Sequence, residues 1–349
     1  MGRRFEPVWA HFNLDHLNAI DTYTQIMKVE QYWLITGGAG YIGSHVADSF
    51  LATGKKVIIY DSLSHGLMSR VDYLSQKYGK NVQLIIADIR DSDAFNSALT
   101  EYAPKGVIHL AAVKSVGESM EKSDKYFDIN LNATSQMLKT ISAHGINHVI
   151  FSSTAAVYGS PNHSIPVKEN DIKAPISPYG QSKYEAEQEV NKFLTMYQNR
   201  GTSLRFFNAV GRSAPELSDN SIENLLPIVI NKLKSGQNPE IFGDDYPTPD
   251  GTCVRDYVDV RDIANVHLAA ADYPEVLPLA LNVGTGSGRS VREVITLLSA
   301  AMDRTHLNAV VTNRRSGDPA LLCADVSLME DTLGYKAQYS LEASIASLV

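Results

Sequence analysis

The chain has 349 residues, 44% hydrophobic and 20% charged, an ordinary balance for a globular protein of one large domain or two smaller ones. A net charge of -8 with no run of Lys or Arg argues against a general nucleic-acid binder. Two cysteines, Cys253 and Cys323, are too few for a disulfide framework or a metal cluster and are expected as small core residues in a reducing compartment.

Residues 1–30 precede the first strand signal. Leu14, Leu17, Ile20, Tyr23 and Met27 recur at near-helical spacing, which suits an amphipathic helix to which no function is assigned. The opening residues lack the apolar stretch of a signal peptide, and no apolar run reaches membrane-spanning length, so a cytoplasmic location is expected.

From residue 31 onward, short apolar runs alternate with helical patterns: 32–36, 56–61, 82–88, 106–112, 148–154 and 203–208. Continuous Val/Ile/Leu runs without polar alternation suit strands covered on both faces, so the fold class is α/β, a doubly wound parallel sheet. After about residue 209 the pattern breaks into loops rich in Pro, Gly and Asn, then returns to shorter elements. A second, smaller mixed α/β lobe over the sheet's carboxyl edge is expected, where ligands bind in such folds. The expected division is an extension at 1–30, a dinucleotide-binding Rossmann domain at 31–208 with return segments around 255–285, and a substrate lobe at 209–254 and 285–349.

The first strand runs into "GGAGYIGSH", with Gly37, Gly40 and Gly43 three apart. A tight turn, close backbone approach to a diphosphate and an exposed helix N-terminus all call for such glycines. Asp61 closes the second strand about 20 residues on, where an acid accepts from an adenosine ribose and repels a 2′-phosphate. Together they predict NAD and not NADP. Asp88, ending the third run, is expected either at the adenine or as a helix cap.

"SPYGQSKYE" at 177–185 starts a helix with Ser177 as cap and Pro178 in its first turn. Tyr179 and Lys183 then share one helix face. His144 and His148 mimic a metal pair, but Gly145 separates them and no carboxylate follows, so surface or capping roles are expected and no metal site is predicted.

With the glycine loop, Thr154 closing the fifth strand and the YxxxK spacing in place, the chain resembles the extended short-chain dehydrogenase/reductase family, and within it the UDP-hexose 4-epimerases. The likeness runs from about 32 to 335 through "TGGAGYIGSH", "SSTAAVYG", "FFNAVG", "IFGDDYPTPDGTCVRDYV" and "RRSGDPA". It implies NAD-dependent inversion at C4 of a UDP-hexose, with Tyr179 as base, Lys183 supporting it and Thr154 orienting the hydroxyl. By the same likeness the cofactor is lined by Gly37, Gly40, Tyr41, Ile42, Gly43, Asp61, Ser62, Leu63, Gly66, Asp88, Ile89, Leu110, Ala111, Ala112, Lys114, Asn130, Ser152, Tyr179, Lys183 and Phe207. The UDP-sugar is met by Lys114, Thr154, Tyr179, Asn208, Asn224, Leu225, Ile241, Phe242, Arg255, Tyr257, Arg315, Asp318 and Leu322. A homodimer through helices around 118–144 and 178–199 is also implied. Dehydratase relatives carry acids after the strand-five Thr; here Ala155 and Ala156 follow and have no proton to give.

Overall fold

In the computed structural model, residues 31–161, 166–196, 198–315 and 317–349 are described; the helix expected around Leu14 to Met27 lies outside them. The apolar runs become β1 (Tyr32–Thr36), β2 (Lys56–Asp61), β3 (Val82–Ile86), β4 (Gly106–His109), β5 (His148–Thr154) and β6 (Arg200–Phe206). With β10 (Ala280–Val283) they form one parallel sheet in the order β10-β6-β5-β4-β1-β2-β3. This is the doubly wound order extended by one strand. Helices α1 (Tyr41–Ala52), α2 (Met68–Tyr78), α3 (Ser92–Tyr102), α4 (Val116–Glu121), α5 (Ala133–Ala143) and α6 (Pro178–Met196) follow in turn, with a π-helical turn at Phe127–Asn132 before α5.

The continuous apolar runs are used as their composition demands. Leu34, Ile58, Val107 and Val149 face one apolar cluster, while Trp33, Val57, Ile108 and Ile150 face the other, so both faces of the sheet are sealed.

Beyond β6 the chain leaves the sheet as β7 (Asn208–Val210), which pairs with β9 (Val254–Asp259). Strands β9, β11 (Gly288–Ser290) and β13 (Leu321–Leu322) complete a four-stranded sheet, and β8 (Glu240–Phe242) pairs with β12 (Val310–Thr312). Helix α7 (Leu225–Lys234) and helix α9 (Val291–Ala301) share a third apolar cluster with Ile241 and Tyr257. Helix α8 (Val260–Asp272) supplies Ile263, Ala264, Val266 and Ala270 to the same cluster as Trp33 and Val46 of the parallel-sheet half.

Three local expectations need correction. The third run ends at Ile86, because Asp88 turns back to accept from the Arg90 backbone amide at 2.9 Å. Asp88 is not a helix cap: α3 is capped by Asp91, which accepts from Ala94 N at 3.0 Å. His148 is neither on the surface nor a cap. It is 2% exposed and packs edge-on against Trp33 at 4.9 Å, its strand position turning the ring into the helix layer. His144 does sit at the surface, bonded to Asn96.

Candidate active site

Gly37, Asp61, Leu110 and Thr154 lie at or just after the carboxyl ends of β1, β2, β4 and β5 of the parallel sheet. After β1, Gly37 adopts φ +69°, and a Cβ there would lie 2.7 Å from Ala111 N. At Gly43, a Cβ would meet Gly37 O at 2.1 Å. Both positions therefore exclude a side chain, and the turn closes tightly enough to present the first turn of α1. Gly40 caps that helix with no side-chain hydrogen bond, which leaves its N-terminal amides to an anion. This is the cradle a dinucleotide diphosphate requires.

Asp61 holds the cradle in shape. Its carboxylate accepts from Ala39 N at 3.0 Å and from Leu63 N at 2.8 Å. A carboxylate has about four acceptor sites, so capacity for ribose hydroxyls remains. Leu63 takes φ +57°, a conformation that leucine rarely adopts. The sequence places Ser62 and Gly66 in the same turn.

The floor is a chain of buried polar bonds. Thr36 Oγ1 meets His109 Nδ1 at 2.7 Å, and His109 Nε2 meets Thr134 Oγ1 at 2.8 Å. Asn130 accepts from Val113 N at 2.9 Å and donates to Val113 O at 3.0 Å and to Ser182 Oγ at 3.1 Å. Ser182 in turn donates to Tyr179 O at 2.9 Å. Asn130 thus ties the loop after β4, which carries Leu110, Ala111, Ala112 and exposed Lys114, to the start of α6. Ser152 Oγ meets His267 Nε2 at 3.0 Å, and Phe207 is buried in the core.

Helix α6 begins as its sequence dictates: Gly180 N donates to Ser177 Oγ at 3.1 Å. Tyr179 meets the edge of Tyr126 at 6.4 Å between ring centres. Burial pushes its phenol above the ordinary 10, and a hydrogen bond with Thr154 pulls the other way. Lys183 is 3% exposed, and burial pushes it down to about 7, with Glu187 one turn on opposing the fall. Its ammonium sits 4.1 Å from the centre of the Phe151 ring. Desolvation dominates at both groups, raising the phenol and lowering the ammonium.

Across the cleft the smaller sheets gather the other candidates. Strand pairing sets Leu322 opposite Arg255, and Asn208 opposite Tyr257. Arg255 reaches Asp318 at 3.5 Å, and the Arg315 guanidinium lies 3.9 Å over the Phe242 ring. Ile241 is buried beside them. Asn224 caps α7 and donates to Asp219, with Leu225 the first helical residue. Guanidiniums and an Asp are the groups that suit a diphosphate and a ribose. Ile89 is buried and Asp88 pairs with Arg90 at 2.8 Å at the other end of the cleft.

Sequence reasoning missed Phe151 under Lys183, Tyr126 against Tyr179, and the partner that buries Glu187. An aromatic inside an apolar strand gives no signal of its own. Glu187 did carry one, since it is the third member of the i, i+4, i+8 face that begins at Tyr179. Among the described residues no group of His, Cys, Asp and Glu is arranged to hold a metal, and no helix is long and apolar enough to cross a membrane.

The model of the NAD dependent epimerase/dehydratase family matches residues 33–284. A UDP-glucose 4-epimerase of Rhizobium meliloti is 36% identical over 316 residues, covering 89% of this chain and 93% of that protein. Among solved structures, UDP-glucose 4-epimerase from Bifidobacterium longum in complex with NAD+ and UDP superposes with a TM-score of 0.85 at 35% identity, covering 91% and 96% of the two chains. The UDP-Glc/GlcNAc 4-epimerase of Campylobacter jejuni gives 0.80 at 33% identity, covering 91% and 98%.

Proposed function

We propose that this chain, which belongs to the NAD dependent epimerase/dehydratase family, interconverts UDP-glucose and UDP-galactose by inversion at C4. The observation that supports the mechanism most is the Tyr179 phenol, hydrogen-bonded to Thr154, on the same helix face as buried Lys183. NAD, when bound, would supply the hydride acceptor and donor that inversion at C4 needs. Tyr179 takes the 4-hydroxyl proton and gives it back after the 4-keto sugar has turned. Thr154, already bonded to the phenol, fixes the hydroxyl for transfer. Lys183 supports the phenolate, and a positive charge beside the pair favours that form of Tyr179 and opposes the desolvation that raises it. Gly37, Gly40 and Gly43 would hold the diphosphate of NAD, and Asp61 its adenosine ribose. Arg255, Arg315 and Asp318 grip the UDP, leaving the hexose loosely held and free to rotate. The dinucleotide half comprises 31–208 with the return around 255–285, and the rest of the described chain forms the UDP-sugar lobe.

The decisive experiment supplies UDP-galactose to the purified protein without added NAD. Appearance of UDP-glucose with no net NADH is expected; failure with NAD bound sinks the reading.

Two finer points belong to the same proposal. Leu322, buried beside Arg255, cannot donate a hydrogen bond and leaves more room at the hexose than a tyrosine would. We read this as admitting UDP-GlcNAc and UDP-GalNAc as secondary substrates. The enzyme is also proposed to be a cytoplasmic homodimer: its two cysteines are free and buried, and Met120 and Met196 are exposed on the helical stretches that would pair. Sedimentation as a monomer at micromolar concentration would overturn the dimer.

A further inference from the structure

Residues 211–224, between β7 and α7, are fastened to the dinucleotide half at four points. The Tyr41 hydroxyl donates to Gly211 O at 2.6 Å. Ser213 N donates to His45 Nε2 at 3.0 Å, which requires an unprotonated ring; burial pushes His45 down to about 4. Arg70 donates through Nη2 to Ser218 O at 2.6 Å and through Nη1 to Ala39 O at 3.0 Å. Ser115 donates to the Glu223 carboxylate.

The Arg70 tie differs from the others. One planar group bridges a carbonyl inside the glycine loop and a carbonyl of the facing segment. Arg70 is 3% exposed and its Nε finds no partner, a costly arrangement for a cation with only a structural surface role. The carboxylates of Asp61 and Asp219 offset its charge from two sides. Asp219 directly follows the residue that Arg70 holds, and it accepts from Asn224 Nδ2 at 2.5 Å. A continuous path thus runs from the glycine loop to the cap of α7.

We propose that Arg70 is a positioning residue for the dinucleotide: by fastening Ala39 to Ser218 it locks residues 211–224 as a strap against the cofactor cradle, so that bound NAD leaves only when the strap detaches. The inference rests on the glycine loop being the NAD cradle. A bond from a charged donor is among the stronger hydrogen bonds, so losing two of them is expected to speed release about ten-fold or more.

The test is exchange of protein-bound NAD against excess isotopically labelled NAD, with the bound nucleotide recovered by gel filtration and measured by mass spectrometry. Arg70→Gln is expected to exchange about ten-fold or more faster than wild type, Arg70→Lys to lie between them, and Tyr41→Phe, which removes one hydroxyl from a separate tie, to exchange a few-fold faster. Circular dichroism establishes that each variant is folded. Wild-type exchange in folded Arg70→Gln, or in Tyr41→Phe should Arg70→Gln not fold, overturns the strap. A wild-type protein that neither carries nor takes up NAD overturns the cofactor reading instead.

Discussion

Burial acts on Tyr179 and Lys183 in the same way, disfavouring the charged form of each. Burial raises the phenol above 10 and lowers the ammonium to about 7, so in the chain by itself both groups tend toward neutrality. Their spacing was legible because i and i+4 share a helix face; the Phe151 ring that floors Lys183 was not, since it looks like any core aromatic of an apolar strand. Removing the phenol oxygen should remove the base and little else. Tyr179→Phe is expected to lower kcat by about 10²-fold to 10⁴-fold while UDP affinity, measured by calorimetry, stays within about two-fold. Substantial turnover in that variant would reassign the base. At Leu322 the expectation concerns a ratio: Leu322→Tyr should lower N-acetyl-sugar turnover relative to UDP-glucose by about ten-fold, the scale of one or two misplaced groups in a pocket. An unchanged ratio in coupled assays would show that this side chain is not the gate.

Helix α6 carries its chemistry on one stripe. Tyr179, Lys183 and Glu187 stand at i, i+4 and i+8, and the last is fully buried against Arg205, whose Nε donates to Oε2 at 3.0 Å. Arg205 Nη2 also donates to Oε1, the Ser153 hydroxyl adds a third bond to the same carboxylate at 2.7 Å, and Arg205 donates onward to the Tyr158 hydroxyl at 2.9 Å. Truncating one partner would strand the other charge without water. Glu187→Ala is therefore expected to cost about 3–5 kcal/mol in urea unfolding. A loss below about 1 kcal/mol would mean that the site relaxes or hydrates, as exposed pairs do. The helix limits followed from Ser177 and Pro178 because caps act locally. The strand limits of β3 and β4 did not: apolar runs continue past the last ladder bond into Asp88 and Ala112, where turns and the cleft take over. The expected run 203–208 likewise hides a change of sheet between Phe206 and Asn208, which no side-chain pattern marks.

Across the whole molecule the parallel sheet was readable because two-sided burial writes itself as uninterrupted Val/Ile/Leu. The smaller sheets were not, because their strands run only two to six residues and depend on pairings far apart in sequence. Burial also sets how the molecule responds to acid. His45, His148 and His267 are pushed down to about 4 and His109 to about 3. Unfolded histidine titrates at about 6.5, so between there and pH 4 the unfolded chain binds protons that the folded chain refuses. Stability must fall as pH falls through that window, by something on the order of 1–2 kcal/mol per histidine at pH 5. Urea midpoints measured from pH 7.5 to pH 5 should decline steadily; a flat profile would mean that these rings are protonated in the native state. One feature of the topology reaches back to synthesis. Strand β6 ends at Phe206, yet the neighbour that covers its outer edge, β10, ends at Val283. A chain emerging from a ribosome at about 5–20 residues per second leaves that edge open for roughly 4–15 seconds. During the interval the nascent sheet offers a bare row of amides and carbonyls to any other extended strand, so a chaperone that shields β6 would raise yield more than one that binds the finished fold.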